Sequence, residues 1–174
     1  GRLQTQAESD EAKERLAKAT GWTDHKLIAQ LAALGVTPEG LMAVQMVPLV
    51  LIAWANHGVD PKERDFVMSK AERFGVRERS EAYALLEHWL SHRPPVTVFD
   101  TWKRFMRYEL ASMCRKSSER LVALTKNQMI AAARCSGGFL GFCRISSNEQ
   151  KLIRKLSRTL DECLNEADVN RRAG

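Results

Sequence analysis

The sequence predicts an all-α protein, a single-domain bundle of seven to eight helices with an internal pseudo-two-fold repeat. Apolar residues recur at helical spacing in successive segments, strand-like alternation is almost absent, and all five prolines stand at helix starts, kinks or loops. At 174 residues, the chain is long enough to bury about 70% of its unfolded surface in one core.

The segments divide the chain into three parts. Residues 1–36 predict an N-terminal helical extension, in which a charged surface helix precedes a shorter apolar helix that Gly35 closes. Residues 37–165 predict the main helical domain. We expect residues 166–174 to form a flexible tail, because chain ends are often poorly ordered.

The central helix of the predicted core begins at Thr37-Pro38, a capping hydroxyl followed by a proline in the first turn. It runs to Ala55, and from Leu41 onward its only plainly polar side chain is Gln45. A helix that is apolar on every side is predicted to be buried. Pro48 lies inside it and is expected to bend it, because proline has no N–H to donate to the carbonyl of Val44. The apolar run over residues 46–55 is far shorter than the roughly 20 residues that span a bilayer.

Three later helices are predicted to begin with a capping box, in which a short polar side chain precedes an acidic one by three positions. These are Asp60 with Glu63, Thr97 with Asp100, and Ser146 with Glu149. Ser80 is predicted to cap a further helix between the first two.

One pattern occurs twice, and its two final glutamates, Glu63 and Glu149, are 86 positions apart. Each copy has an apolar helix, a glycine-containing turn, Val or Ile, a short capping residue and then the glutamate. The copies span residues 51–63 and 129–149. The pattern predicts a duplicated helix–turn–helix unit.

With these units placed, the sequence resembles the TerB-like family of tellurite-resistance proteins over residues 38–163. The family pattern, Ala-Asp-Gly-x-Val/Ile-x-x-x-Glu, is matched in the first copy by Ala55, Val59 and Glu63. The second copy matches through the glycine-rich segment 136–141 and the segment 145–149. The resemblance implies an all-helical bundle with internal pseudo-symmetry and no established catalytic mechanism. It also implies membership of bacterial stress-response or membrane-associated assemblies.

The family's acidic residues are suspected of binding a divalent metal, and in this chain the corresponding candidates are Asp60, Glu63 and Glu149, together with His57 in the first turn. Asn56 stands where the family has Asp, and Ser136 stands where a second acid is expected. Hard cations take several oxygen ligands, usually charged ones. The resemblance thus offers a divalent-metal sensor as the alternative prediction. We expect no cofactor other than such a metal.

The formal charge of +6 is unevenly distributed. Residues 1–101 carry 12 basic and 14 acidic side chains, whereas residues 102–174 carry 15 and 7. Four cations recur at helical spacing in the last helix and form the candidate partner-binding set: Lys151, Arg154, Lys155 and Arg158. Stacking aromatics are not interleaved with them, so we expect a protein partner rather than a nucleic acid.

The remaining reactive side chains do not suggest an enzyme. No Ser/His/Asp or Cys/His set has a spacing that nominates a nucleophile. His88 and His92 could reach one metal from a single helix face, but surface histidines are the preferred interpretation. The main prediction is a non-catalytic, cytoplasmic binding or scaffold module that presents a helical surface, acidic near the first turn and basic toward the C-terminus, to a protein partner.

Overall fold

The computed structural model describes residues 2–136 and 144–174, and every regular element in these ranges is helical. Helices take up 79% of the described residues, and no strand occurs among them, which confirms the predicted all-α class. In these ranges a 3-10 helix, Pro38–Gly40, and nine α-helices follow in chain order: α1 Arg2–Thr20, α2 His25–Ala33, α3 Met42–Gln45, α4 Val47–Ala53, α5 Pro61–Arg73, α6 Glu81–Ser91, α7 Thr97–Ser112, α8 Arg115–Ser136 and α9 Ser147–Ala173.

One hydrophobic cluster contains side chains from all nine of these helices. Its middle lies where α4 packs against α8 and α9, and where α9 packs along α7. Trp102, Met129 and Leu156 are fully buried there, as the apolar spacing of their helices predicts. The helices of the predicted N-terminal extension contribute Leu16 and Leu27 to the same cluster.

The last helix is longer than the sequence suggests. Residues 166–174 are predicted as a flexible tail, but α9 continues as far as Ala173. The structure therefore places the 165/166 boundary inside a helix.

The central segment is divided rather than bent. α3 ends at Gln45, and α4 begins at Val47 with Pro48 in its first turn, where a missing N–H costs little. The Met46 N–H turns back to the carbonyl of Ala43 at 3.0 Å. The interruption lies directly before Val47-Pro48, and it divides one predicted helix into α3 and α4.

The predicted capping box at Thr97 and Asp100 is wrong. Val96 is the residue before α7, and it provides no side-chain cap. The Asp100 carboxylate instead accepts hydrogen bonds from Gln30 Nε2 at 2.8 Å and from Arg104 Nε at 3.0 Å. Both hydrogen bonds lower the pKa of Asp100, and the one from Gln30 has the larger effect. A tertiary contact between α2 and α7 has replaced the local cap.

Two helices end as their glycines predict. In α2 the Gly35 N–H donates to the carbonyl of Ala32 and the Val36 N–H to that of Leu31, both at 3.0 Å. This is the Schellman arrangement, which requires a left-handed residue after the helix. Gly35 has a φ of +75°. The end of α5 repeats the arrangement at Gly75, where φ is +92°.

We expect Gly35→Ala to lower the free energy of unfolding by about 1–2 kcal/mol, because a Cβ disfavours the left-handed conformation. No neighbouring atom lies within 4 Å of the position that this Cβ would take, so the cost is one of backbone conformation alone. Urea denaturation followed by circular dichroism measures it. Gly58→Ala is the matched control, since its site is equally open and lacks a positive φ. An equal loss in both variants would contradict this account.

Among the described residues, no single helix combines the length and apolarity needed to cross a bilayer. The pair His25–Ala33 and Pro38–Gln45 meets these criteria only jointly, by length and composition, across a bend of 83°.

Candidate functional site

The first copy of the predicted repeat ends in the predicted capping box. The Glu63 N–H donates to Asp60 Oδ1 at 2.8 Å, and the Asp60 N–H donates to Glu63 Oε2 at 2.9 Å. Both partners therefore satisfy amides that the start of α5 would otherwise leave open. Glu63 is buried, with 8% of its surface exposed.

The second turn ends in the same way at the start of α9. The Glu149 N–H donates to Ser146 Oγ at 3.2 Å, and the Ser146 N–H donates to Glu149 Oε2 at 2.9 Å. Glu149 is almost completely enclosed, at 1% exposure. The prediction of a capping box is confirmed here too. The glycine-rich turn predicted over 137–141, and Cys143 after it, lie outside the described residues.

Asn56 connects the two turns. Its Nδ2 donates to Glu149 Oε1 at 2.8 Å, and its Oδ1 accepts from Ser146 Oγ at 3.1 Å. An amide can donate and accept at once, whereas an ionised Asp could only accept and would face the Glu149 carboxylate. The residue that departs from the TerB-like pattern therefore has a definite role, which the sequence does not reveal because its partners lie 90 and 93 positions away.

The four candidate metal ligands do not form a ligand set. Asp60, Glu63 and Glu149 each accept hydrogen bonds at a helix start, and His57 is exposed in the turn. Within residues 2–136 and 144–174, no group of three or more His, Cys, Asp or Glu side chains could hold a metal ion. Asp60, Glu63 and Glu149 accept hydrogen bonds from the backbone, and Glu149 also accepts one from Asn56.

The four predicted partner-binding cations lie together along one side of α9. Lys151, Arg154, Lys155 and Arg158, called here the basic stripe, are all exposed. None of the four forms an ion pair with any other described residue. Lys155 Nζ lies 4.1 Å from the ring centroid of Phe99, a cation–π contact with α7.

An apolar cleft borders the basic stripe. It has a volume of about 170 Å³ and lies between the end of α4, the loop from α6 to α7, and the start of α9. Phe99, which carries Lys155 over its ring, also lines the cleft. The other apolar side chains that define it are Leu51, Trp54, Pro94, Val96 and Leu152. We call it the Trp54 cleft.

Two side chains of the Trp54 cleft stand out, one because it is held in place and the other because it is exposed. Trp54 Nε1 donates to the carbonyl of Trp89 at 2.7 Å, which holds the indole ring in place and satisfies its one polar atom. Val96 follows two prolines and is 95% exposed. Val96 also lines the cleft, so it extends an apolar surface that is available to another molecule. The Pro-Pro-Val sequence of this loop did not by itself predict that the loop belongs to a site.

The remaining candidate side chains stand apart from this surface. His88 and His92 are exposed and stack at 4.7 Å, which confirms the expectation of surface histidines. Cys163 is buried, and burial raises the pKa of its thiol to about 11. The exposed Cys114 has a lowered pKa, chiefly because of hydrogen bonding with the side chain of Ser117.

These features define the class of the molecule as an all-helical bundle with a basic and apolar surface at the junction of α4, α7 and α9. No protein-family model, curated protein or solved structure matches the chain. The TerB-like resemblance thus remains a prediction.

Proposed function

We propose that this protein is a non-catalytic binding or scaffold module whose basic stripe and Trp54 cleft receive an acidic partner protein. The observation that carries the proposal is the row of four exposed cations beside an apolar cleft. Complementary charge speeds encounter and sets orientation, while buried apolar anchors supply most of the affinity. A surface that offers both suits a partner with acidic and apolar side chains on neighbouring faces.

An amphipathic helix is the simplest partner with that pattern. Its apolar residues would contact Trp54 and Val96, and its carboxylates would face the basic stripe. The cleft is too small for more than a few side chains, so contact with the stripe must extend the interface beyond it.

The TerB-like resemblance supports a setting for this module in a bacterial stress response or a membrane-associated system, with the chain in the cytoplasm. The alternative from the same resemblance is a divalent-metal sensor that uses Asp60, Glu63, Glu149 and His57. The geometry favours the binding module, because three of those four side chains are already engaged at helix starts.

Selection from a displayed library of random peptides tests the binding module and does not require the partner to be identified first. We expect enrichment of peptides that combine Asp or Glu with Leu or Phe at helical spacing. Fluorescence anisotropy then gives the Kd of the selected peptides. Reversal of two stripe charges, by Arg154→Glu with Arg158→Glu, is expected to raise that Kd about tenfold or more, because it replaces attraction with repulsion.

The control is Lys18→Glu with Arg77→Glu, which changes the net charge equally at two exposed positions outside the stripe. This pair should leave the Kd within about twofold. Val96→Asp tests the cleft separately and should also weaken binding. Selection of neutral peptides, or equal losses in both charge-reversal pairs, would refute the proposal. Displacement of the peptide by random duplex DNA at similar concentration would identify a general polyanion site instead.

A further inference from the structure

A second surface, separate from the basic stripe, has the form of a small-molecule site. A groove of about 620 Å³ lies between α1, α3, α7 and α8, within the usual size range of ligand pockets. Its apolar walls include Trp22, Met42, Phe74, Phe105, Met113 and Leu121. None of its lining residues belongs to the Trp54 cleft.

Among the described residues that line this groove, Glu109 is the only one with an ionisable side chain. Gln45 Nε2 donates to its Oε2 at 3.5 Å, the outer limit for a hydrogen bond. No described Lys, Arg or His forms an ion pair with it. Burial raises the pKa of Glu109, because the charged form is poorly solvated there. A carboxylate placed among apolar side chains without a cation is costly to the protein.

The walls around Glu109 suit a positive charge. Trp22 packs edge-on against Phe105, with ring centroids 5.9 Å apart, and also contacts Tyr108, with ring centroids 5.3 Å apart, so its indole ring is held in place at the groove. Aromatic faces attract cations, most strongly where water is excluded. The thioether chains of Met42 and Met113 can adapt to apolar bodies of different shape.

We propose that this groove binds an organic monocation, an ammonium group on an apolar body, with Glu109 as its counter-ion. The ammonium lies beside the Glu109 carboxylate and the aromatic walls, and the apolar body lies along the methionines. The inference goes beyond the proposed partner-binding function and uses different residues, so either can fail alone.

Calorimetric titration of the full chain with n-octylammonium, n-octanol and n-octanoate at neutral pH tests the site. These probes share one chain and differ in the charge of the head group. We expect n-octylammonium to bind about tenfold more tightly than n-octanol, and n-octanoate to bind most weakly. Acidification should reduce the affinity for n-octylammonium as Glu109 becomes protonated, while the affinity for n-octanol stays constant.

Glu109→Gln keeps the side-chain shape and should abolish the preference for the ammonium probe while leaving n-octanol binding in place. Glu162→Gln, at an exposed position on α9, is the matched control and should change nothing. Met42→Trp should fill the groove and weaken all three probes; Met42 is 42% exposed, so the fold should accept the change. Equal affinities for the three probes, no binding of any of them, or a preference that survives Glu109→Gln would overturn the proposal.

Discussion

Replacing Glu149 by alanine is expected to lower the free energy of unfolding by about 2–4 kcal/mol. The carboxylate accepts from the Ser146 N–H and from Asn56 Nδ2, and it is 1% exposed. Its removal takes away the capping box of α9, which contributes roughly 1 kcal/mol. It also leaves two half-buried donors, the Ser146 N–H and Asn56 Nδ2, without this acceptor. Because neither donor residue is fully buried, the two together add about 1–3 kcal/mol. Urea denaturation monitored by circular dichroism measures the change.

Glu162→Ala is the control for Glu149→Ala, because it removes an exposed glutamate from the same helix. It should change stability by no more than about 0.5 kcal/mol. Asn56→Asp probes the other side of the contact. It should also destabilise the fold at neutral pH, since it brings a second carboxylate to Glu149 and removes the donor. A stability unchanged by Glu149→Ala, or raised by Asn56→Asp, would show that the two turns are not coupled through these atoms.

Replacing Arg171 by alanine is expected to cost about 2–4 kcal/mol, although the residue lies close to the end of the chain. Arg171 Nη2 donates to the carbonyls of Leu110 and Met113, at 2.8 and 3.0 Å, and to Ser118 Oγ at 2.7 Å. The same guanidinium pairs with Asp168 on its own helix. It therefore donates to carbonyls at the end of α7, and its charge is favourable at that end of the helix dipole.

The neighbouring Arg172 provides the control for Arg171. It is exposed, and Arg172→Ala should have an effect within about 0.5 kcal/mol. Arg171→Lys should fall between wild type and Arg171→Ala, because an ammonium keeps the charge but cannot reproduce the planar set of donors. Thermal unfolding would report the difference as a fall in Tm. If Arg171→Ala and Arg172→Ala had equal effects, the C-terminal segment would not serve as a cap for α7.

Some contacts between residues close together in the chain were predictable from the sequence, whereas contacts between distant residues were not. The capping boxes of Asp60 with Glu63 and of Ser146 with Glu149 were predictable, because each joins residues three positions apart. The box at Thr97 and Asp100 has the same spacing and is absent, because α7 begins at Thr97 with Val96 before it. The Asp100 carboxylate instead accepts from Gln30 and Arg104. A tertiary partner does not by itself remove a cap, since Glu149 keeps its capping box while it also accepts from Asn56. A local pattern predicts the cap only where the helix begins at the predicted residue.

The candidate surfaces also differ in whether their residues lie close together in the chain. The basic stripe was predictable because its four residues share one helix face, and helical spacing alone places them there. The Trp54 cleft was not predictable, because α4, the loop before α7 and α9 all contribute to it. Glu109 is one acid among many in the sequence, and nothing in its neighbours along α7 singles it out. Phe105 and Met113, four positions before and after it, line the same groove, but the other lining residues come from α1, α3, α8 and the loops between helices.

Neighbouring residues were enough to specify the all-α class, the glycine ends of α2 and α5 and the two capping boxes. All of these depend on backbone geometry and on hydrogen bonds within one or two helical turns. The contact of Asn56 with Glu149, the cap that Arg171 provides for α7 and the apolar surroundings of Glu109 arise only when the helices assemble. They depend on how segments far apart in the chain pack against one another, and local spacing carries no information about that packing.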